Sequence, residues 1–222
     1  MAITLTYLGH AACLLDDGRT AVAIDPFLDD NPVADRKAAD VRCRHIVLTH
    51  GHADHVGDAV AIAKANDATV FAAFELAEYL SELGCRTEGG NPGGKIATDF
   101  GWVAFTQAFH SSSYEGRYMG MACGTIVRLG DVTVYHCGDT ALFGDMRLLG
   151  EIYRPAVALI PIGDRYTMGP ELASRAAELI RPRIAVPIHY KTWPLLAQDA
   201  SGFAPKGVEV RVLEVGESLR WG

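Results

Sequence analysis

The sequence predicts an α/β protein (α+β in some schemes): a four-layer αββα sandwich of two mixed β-sheets flanked by helices. Three observations support this prediction. Each half of the 222-residue chain opens with short strand-like runs, and each half then alternates strands with helices. Several of the runs are continuously apolar, as in strands that are covered on both faces. Two sheets packed face to face satisfy this order, so we expect a single domain over residues 1–222.

The first half begins with three runs that are broken by Gly9 and by the pair Asp17-Gly18, which is typical of a β-meander. A continuous apolar run then predicts a buried strand, and the segment after it has helical spacing of its apolar residues. In order, the predicted elements are strands at 3–9, 12–17, 20–26 and 45–50, a helix at 56–67, a strand at 68–73 and a helix at 75–84.

The second half repeats this plan after a turn-rich stretch at 89–95, which is too short to prove a domain boundary. A hairpin is predicted around Gly130-Asp131. The elements are strands at 102–110, 123–129 and 131–139, a helix at 144–153, a strand at 157–163, a helix at 170–180, a strand at 183–190 and a closing strand at 207–216.

Composition limits the class of protein. Hydrophobic residues make up 49% and charged residues 21%, as in a soluble globular protein. The net charge of −7 argues against a nucleic-acid partner. The five cysteines are scattered without a CxxC pair, so we expect neither disulfides nor a thiolate zinc cage, and the cytoplasm is the expected compartment. We expect no signal peptide, and no apolar run reaches the length of a membrane span.

The densest chemical signal is THGHADH, which follows the apolar run HIVL. On a regular strand His50, His52 and Asp54 would share one face, and His55 would point to the other. The small Gly51 between the first two histidines would let the backbone curl around a point. Imidazole and carboxylate groups without a thiolate suit Zn²⁺, Fe or Mn²⁺.

Four ligands within six residues are better divided between two metal ions, each completed from elsewhere in the chain. Three further donors fit this requirement, because each ends a strand-like run: His110 ends WVAFTQAFH, Asp139 ends VTVYHCGD, and His189 ends IAVPIH. Sites of α/β sheets commonly lie at the carboxyl ends of strands. We therefore expect these three side chains to meet the THGHADH loop.

These residues resemble a known pattern. THGHADH is similar to the HxHxDH signature of the metallo-β-lactamase superfamily, and the three downstream donors follow in the order of that superfamily's remaining ligands. The stretches LGHAAC, AFHSSS, HCGDT, PIGDRYTMGPE and PIHYKTW resemble a branch of small predicted metal-dependent hydrolases related to ascorbate-phosphate lactonase and N-acylphosphatidylethanolamine phospholipase D. The resemblance runs from about Leu8 to Trp193.

The resemblance implies a metallo-β-lactamase fold and two divalent metal ions, Zn²⁺ first with Mn²⁺ or Fe as alternatives. A hydroxide bridging the ions would cleave an ester-, lactone- or amide-like small metabolite, phosphorylated or not. Asp54 and Asp139 would be catalytic, with Asp54 orienting the hydroxide or relaying a proton. The implied ligands are His50, His52 and His110 at one metal, Asp54, His55 and His189 at the second, and Asp139 between the two.

Two neighbouring patterns of the superfamily differ from this sequence. Its redox di-iron branch typically has Glu where His52 stands, which argues against oxygen chemistry here. Its antibiotic-degrading enzymes lack a bridging aspartate and many use Cys there, whereas Gly138-Asp139 is present in this chain. A lactamase is therefore not expected.

Several other residues have two possible roles. His10 is either a substrate-contacting or supporting residue or a structural one, and both alternatives stay open. A structural role is favoured for His136, and a surface or supporting role for His45. The serines at 111–113 are expected to anchor their loop rather than act as nucleophiles. The side chains proposed to hold an anionic substrate group, with solvated loop charges as the alternative, are Arg117, Arg165, Tyr166 and Lys191.

Two alternatives to a metabolite hydrolase remain at this point. One keeps the site but makes the protein a phosphodiesterase or nuclease, although the chain lacks a basic arm. The other is a metal-binding regulatory protein without turnover, which an incomplete ligand set would favour. We expect a small molecule as the partner and no nucleic acid; a homo-oligomer, the physiological substrate and the metal loaded in vivo are left open.

Overall fold

Two seven-stranded sheets form the middle of the molecule. The computed structural model describes residues 2–221. Its strands are β1 (Ile3–Gly9), β2 (Ala12–Asp16), β3 (Ala21–Ile24), β4 (His45–Val47), β5 (Thr69–Ala73), β6 (Arg86–Gly90), β7 (Ile96–Thr98), β8 (Gly101–Gln107), β9 (Ser113–Tyr114), β10 (Arg117–Tyr118), β11 (Cys123–Leu129), β12 (Val132–His136), β13 (Val157–Pro161), β14 (Ile184–Ile188), β15 (Glu209–Val210) and β16 (Ser218–Trp221).

Residues 2–221 contain five α-helices. They are α1 (Ala53–Val56), α2 (Ala59–Asn66), α3 (Phe74–Glu82), α4 (Met146–Tyr153) and α5 (Pro170–Ile180), and a 3-10 turn covers Ala38–Asp40. Within residues 2–221, none of the helices has the length and apolar character that a membrane crossing requires.

The two sheets have the same plan. The first has the strand order β16-β1-β2-β3-β4-β5-β6, and the second has the order β15-β14-β13-β12-β11-β8-β7. In each sheet an antiparallel half joins a parallel half, at β3 in the first and at β12 in the second. The turn-rich stretch predicted at 89–95 begins within β6, and its residues 91–95 connect the first sheet to the second.

Three apolar layers hold the sheets and helices together. One lies between the sheets, one covers the first sheet under α2 and α3, and one covers the second sheet under α4 and α5. Strand β13 shows how the sequence builds two of these layers. Val157 and Leu159 face the other sheet, whereas Ala158 and Ile160 face the helices, because successive side chains of a strand point to opposite faces. The predicted four-layer αββα arrangement is confirmed.

Several predicted elements were wrong in their bounds. The strands expected at 102–110, 131–139 and 183–190, for example, end at Gln107, His136 and Ile188. The strand expected at 45–50 ends at Val47, so the histidine-rich segment lies beyond it. The helix expected at 56–67 is two helices, since α1 begins at Ala53 and the chain turns at Gly57, whose φ is 44°. A side chain at Gly57 would collide with the backbone of Phe27, with a Cβ distance of 2.5 Å, which explains the glycine at this turn.

The predicted closing strand at 207–216 was also wrong. Only Glu209–Val210 pairs there, parallel to β14, and the last strand is β16, which pairs antiparallel with β1. Leu213, within the predicted strand, is buried in the layer between the sheets. The chain therefore crosses from the second sheet back to the edge of the first, and the seven-stranded first sheet is closed by residues from the end of the sequence.

Candidate metal centre

The predicted ligands come together at one end of the sandwich, where strands of both sheets end. His50 and His52 lie in the segment between β4 and α1, and Asp54 and His55 lie in α1 itself. The other three follow strands β8, β12 and β14 in the second sheet: His110, Asp139 and His189. The expectation that strand-end residues from the two halves would meet agrees with this placement.

The first group of ligand atoms belongs to His50, His52 and His110. One nitrogen of each ring lies within 4.8 Å of the others. His50 Nε2 is 2.9 Å from His52 Nδ1, and the rings of His52 and His110 are 5.0 Å apart. These are the three residues that the resemblance implies at one metal ion, and the spacing of their nitrogens is compatible with a shared ion.

The second group contains Asp54, His55 and His189, which were assigned to the other ion, together with His10. All four ligand atoms lie within 4.8 Å of one another. His10 Nε2 is 3.0 Å from Asp54 Oδ2, and His189 Nε2 is 3.8 Å from the same oxygen. His10 was expected to have either a substrate-contacting or supporting role or a structural one, and the structure places it, fully buried, in this group.

Asp139 lies between the two groups. Its carboxylate is 3.0 Å from His189 Nε2, 3.4 Å from His55 Nε2 and 3.6 Å from His110 Nε2. It also forms a third group of ligand atoms with His50 and His55. A carboxylate in this position reaches histidines of both groups, which is what a bridging ligand requires.

Burial and the surrounding charges set the protonation of these residues. Burial lowers the pKa of His50 well below its usual range, and the neighbouring His55 adds to this. Burial would also lower the pKa of His55, but the surrounding carboxylates outweigh it and raise that pKa well above its usual range. In the same way Asp139 raises the pKa of His189 to about 9. Burial opposes ionisation of Asp139, yet these two histidines hold its pKa well below the usual range.

The site residues fit a metal ion. His55 Nε2 is buried and forms no hydrogen bond with residues 2–221, although the other nitrogen of the same ring is bonded. A buried polar atom without a partner is costly, and an ion at this position would satisfy it. All three groups consist of histidine and aspartate, a nitrogen and oxygen set suited to Zn²⁺, Mn²⁺ or Fe.

Asp25 supports the candidate centre and was not predicted from the sequence. Its carboxylate is fully buried and accepts a hydrogen bond from His55 Nδ1 at 2.7 Å and one from the hydroxyl of Thr49 at 2.6 Å. Its second oxygen accepts the Thr49 N–H at 2.8 Å. Because the Nδ1–H of His55 donates to Asp25, a His55 ring that gives up its second proton to bind an ion would present a bare Nε2 to the centre. The signal was present in the sequence, since Asp25 ends the apolar run TAVAID.

His10 is fixed by bonds on both ring nitrogens. The carboxylate of Asp54 can only accept, so Nε2–H of His10 donates to it, and Nδ1 accepts a bond from the Thr192 hydroxyl at 2.7 Å. Burial lowers the pKa of His10 to about 4, so the ring is neutral. The backbone carbonyl of His10 also accepts the N–H of His189 at 2.7 Å. The turn between β1 and β2 therefore positions two candidate ligands, Asp54 and His189.

The other histidines lie as the sequence suggested. His136 is fully buried; its Nε2–H donates to the Ala11 carbonyl at 2.8 Å, and its Nδ1 accepts the Gly138 N–H at 3.1 Å. It therefore supports the backbone that carries Asp139. His45 lies at the start of β4, half-buried and 3.5 Å from the exposed Asp99, and belongs to none of the three ligand groups.

The serines that follow His110 support the loop of the first group. The hydroxyl of Ser112 accepts the Gly51 N–H at 3.1 Å, and Ser111 Oγ is 3.4 Å from His52 Nε2. A Cβ on Gly51 would approach Met119 to 2.5 Å, so the small residue between the two histidines is required by packing. This agrees with the predicted anchoring role of the serines.

Two clefts flank the candidate ligands. The Asp54 cleft, of about 450 Å³, is lined by Asp54 and the aromatic residues near it. The His110 cleft, of about 470 Å³, is lined by His110, the serines 111–113 and the β9–β10 hairpin. Both open beside the donor atoms, so both are available to a substrate that reaches them.

The side chains proposed to hold an anion are engaged elsewhere. Arg117 lines the His110 cleft but pairs with Glu82 at 2.8 Å and lies over the Tyr79 ring. The ammonium of Lys191 is 3.6 Å from Glu214. Arg165 lies over the exposed ring of Tyr166. Among these four residues only Arg117 lines either cleft.

Comparisons with known proteins agree with the geometry. A family model described as a beta-lactamase superfamily domain matches residues 20–190. A UPF0173 metal-dependent hydrolase of Thermus thermophilus is 47% identical over 98% of this chain and 99% of the relative. One from Geobacillus thermodenitrificans is 48% identical over 97% of this chain and 98% of the relative. The structure of Igni18, a novel metallo hydrolase from the archaeon Ignicoccus hospitalis, is 36% identical and covers 100% of this chain and 99% of that one, with a TM-score of 0.91.

Proposed function

Since this chain belongs to the beta-lactamase superfamily, and within it to the UPF0173 metal-dependent hydrolases, we propose that it hydrolyses a small ester-, lactone- or amide-like metabolite with two divalent metal ions. The observation that carries this proposal is the pair of ligand groups that share the carboxylate of Asp139. One group offers three histidine nitrogens and the other offers nitrogens together with the Asp54 carboxylate.

The ligands divide between two ions as follows. His50, His52 and His110 would hold the first, His55, His189 and Asp54 would hold the second, and Asp139 would bind both. Divalent ions held there would supply Lewis acidity and would activate water near neutral pH. Zn²⁺ is our first choice, because an all-histidine and carboxylate set is typical of its catalytic sites, and Mn²⁺ or Fe would fit the same donors.

The protein's own residues would perform three tasks around the ions. Asp25 and His10 orient ligands through the hydrogen bonds described above. The serines hold the His50–His52 loop. Asp54 is the carboxylate that can also meet the substrate, since 25% of its side chain is exposed whereas Asp139 is 4% exposed. We assign to Asp54 the orientation of the attacking water and the transfer of its proton toward the leaving group.

The test is a metal count on histidine variants. Protein reconstituted with Zn²⁺ should hold two ions per chain by mass spectrometry. His110→Ala removes a ligand from the first group only, and His189→Ala removes one from the second, so each variant should retain about one ion. Both should lose at least a hundredfold in kcat/KM on a generic carboxylic ester, because hydrolysis needs both ions.

His45→Ala is the matched control, since this histidine lies outside the three groups. It should keep two ions and full activity. One ion in the unaltered protein, or equal activity in all three variants, would contradict the dinuclear assignment. Parallel assays on p-nitrophenyl acetate and bis-p-nitrophenyl phosphate decide between a carboxylic-ester hydrolase and a phosphodiesterase.

A further inference from the structure

The Asp54 cleft has a distinctive lining. Three aromatic side chains and three carboxylates form most of its wall: Phe27, Tyr114, Trp193, Asp30, Asp54 and Asp58. Among the described residues, no lysine or arginine lines it. Because it contains Asp54, a substrate bound in this cleft has one end next to the candidate metal ligands. The lining therefore bears on which substrates the site accepts.

The aromatic wall of the cleft, formed by Phe27 and Trp193, packs against the metal centre through His10. The rings of Phe27 and Trp193 are 6.2 Å apart, and both pack against His10, at 5.9 Å and 4.9 Å between ring centroids. His10 in turn donates to Asp54. Since His10 is bonded at both nitrogens and fully buried, the two rings have a fixed position relative to Asp54. A group lying on this wall is thus held at a defined distance from the reacting end of the substrate.

The cleft also contains two carboxylates that are not candidate metal ligands. Asp58 accepts the backbone N–H groups of Leu28 and Asp29, which fixes its carboxylate in place. Asp30 is exposed, and within residues 2–221 its side chain has neither a hydrogen bond nor an ion pair. These two carboxylates are outside the three ligand groups, so metal ions would leave their charge available.

We propose that the Asp54 cleft binds the positively charged, alkylammonium end of the substrate. A cation over an aromatic face is attracted by the electrons of the ring, and the attraction increases where water is excluded. The carboxylates of Asp30 and Asp58 add a complementary charge. This assignment rests on the proposed function, because it names the substrate class of that same site, and it replaces the anionic class that Arg117 and Lys191 had suggested.

The test compares choline with 3,3-dimethyl-1-butanol, which has the same shape without the charge. Isothermal titration calorimetry on the Zn²⁺-loaded protein should give choline a dissociation constant at least ten times lower than that of the neutral alcohol. Asp30→Asn should weaken choline binding about threefold to tenfold and leave the alcohol unchanged, since only the charged ligand gains from that carboxylate. Raising the salt concentration should reduce the preference.

Asp131→Asn is the control, because it removes the same charge from a fully exposed position on the β11–β12 hairpin; choline binding should not change. Equal affinity for the two ligands, or equal effects of the two substitutions, would overturn this inference. The acetate esters of the same two alcohols test the proposed function separately. Preferential binding of choline without hydrolysis of either ester counts against the hydrolase, whereas hydrolysis of both esters at equal kcat/KM counts against the cationic cleft alone.

Discussion

Asp25 shows how much of the centre depends on a residue that cannot touch a substrate. It is fully buried and holds the Nδ1 proton of His55. In Asp25→Asn the amide can turn its NH₂ toward that ring, and His55 would then carry its proton on Nε2, which is the nitrogen needed by the metal. We expect the affinity for the second ion to fall about 10- to 100-fold. Competition with a chromophoric chelator measures this change.

The control for this prediction is Asp17→Asn, which alters a carboxylate that likewise accepts backbone N–H bonds but lies in a surface turn. Its metal affinity should equal that of the unaltered protein. Activity of Asp25→Asn should return at high metal concentration, because the ligands themselves are intact. An unchanged affinity would show that Asp25 only stabilises the fold.

The candidate ligands could be predicted from the sequence because each ends an apolar run or belongs to one short motif. Asp25 meets the same criterion, yet its role could not be assigned. Whether an aspartate reaches an ion or a histidine depends on distances of a few ångströms across the site. The position of His10 could not be predicted from the sequence for a related reason. It lies beside His189 only because the first and second sheets pack together at this end.

Strand β12 has a glycine in the left-handed conformation two residues beyond each end. Gly130 has φ 56° with no atom within 4 Å of an added Cβ, whereas a Cβ on Gly138, φ 61°, would lie 2.4 Å from the Cys123 carbonyl. Gly130→Ala should therefore cost about 1 kcal/mol for its backbone conformation alone. Gly138→Ala adds a clash, for a total of about 2–4 kcal/mol.

Thermal unfolding of the metal-free proteins checks this pair. For a chain of this length we expect a fall in Tm of about 2–4 °C for Gly130→Ala and about 5–15 °C for Gly138→Ala. Gly138→Ala should also lose metal, since Asp139 follows directly. Equal losses of stability would mean that the loop after β12 yields to the extra methyl group, and that close packing does not fix the position of Asp139.

Elements with regular periodicity were predicted well, and those set by long-range pairing were not. Helices α3, α4 and α5 lie within two residues of their predicted bounds. Strand β16 was missed because it forms only by pairing with β1, more than 200 residues away in sequence. The short α1 was missed because its four residues are too few for helical spacing to be visible, and it carries two of the candidate ligands.

Across the whole molecule, the candidate metal centre joins the two sheets through charge. His189 and Asp139 both follow strands of the second sheet, whereas His55 and Asp54 come from the half of the chain that forms the first. The raised pKa values of His55 and His189 and the lowered pKa of Asp139 show that these charges attract one another across the site. Metal ions would replace the protons that now balance the carboxylates.

Stability should therefore depend on pH in opposite ways with and without metal. The pKa of His189 is about 9 in the folded protein against an ordinary 6.5. Its stabilising charge is fully present below pH 6.5 and is lost as pH rises toward 9. His10 has the opposite effect, because its pKa in the folded protein is about 4. Below pH 6.5 the unfolded chain binds a proton at this residue more readily than the folded protein does, so stability falls as the pH falls toward 4. The metal-free protein should thus be most stable near pH 6.5.

Metal loading should reverse the pH dependence of stability above pH 6.5. Histidines must lose their protons to bind an ion, so loading at pH 7 should release about two protons, one each from His55 and His189, and affinity should increase with pH. Between pH 6.5 and 9 the Tm of the metal-free protein should fall by about 5 °C or more, while that of the Zn²⁺-loaded protein rises. Calorimetry in buffers of different ionisation enthalpy counts the protons. Parallel pH profiles with and without metal, or loading without proton release, would show that these histidines are not the ligands.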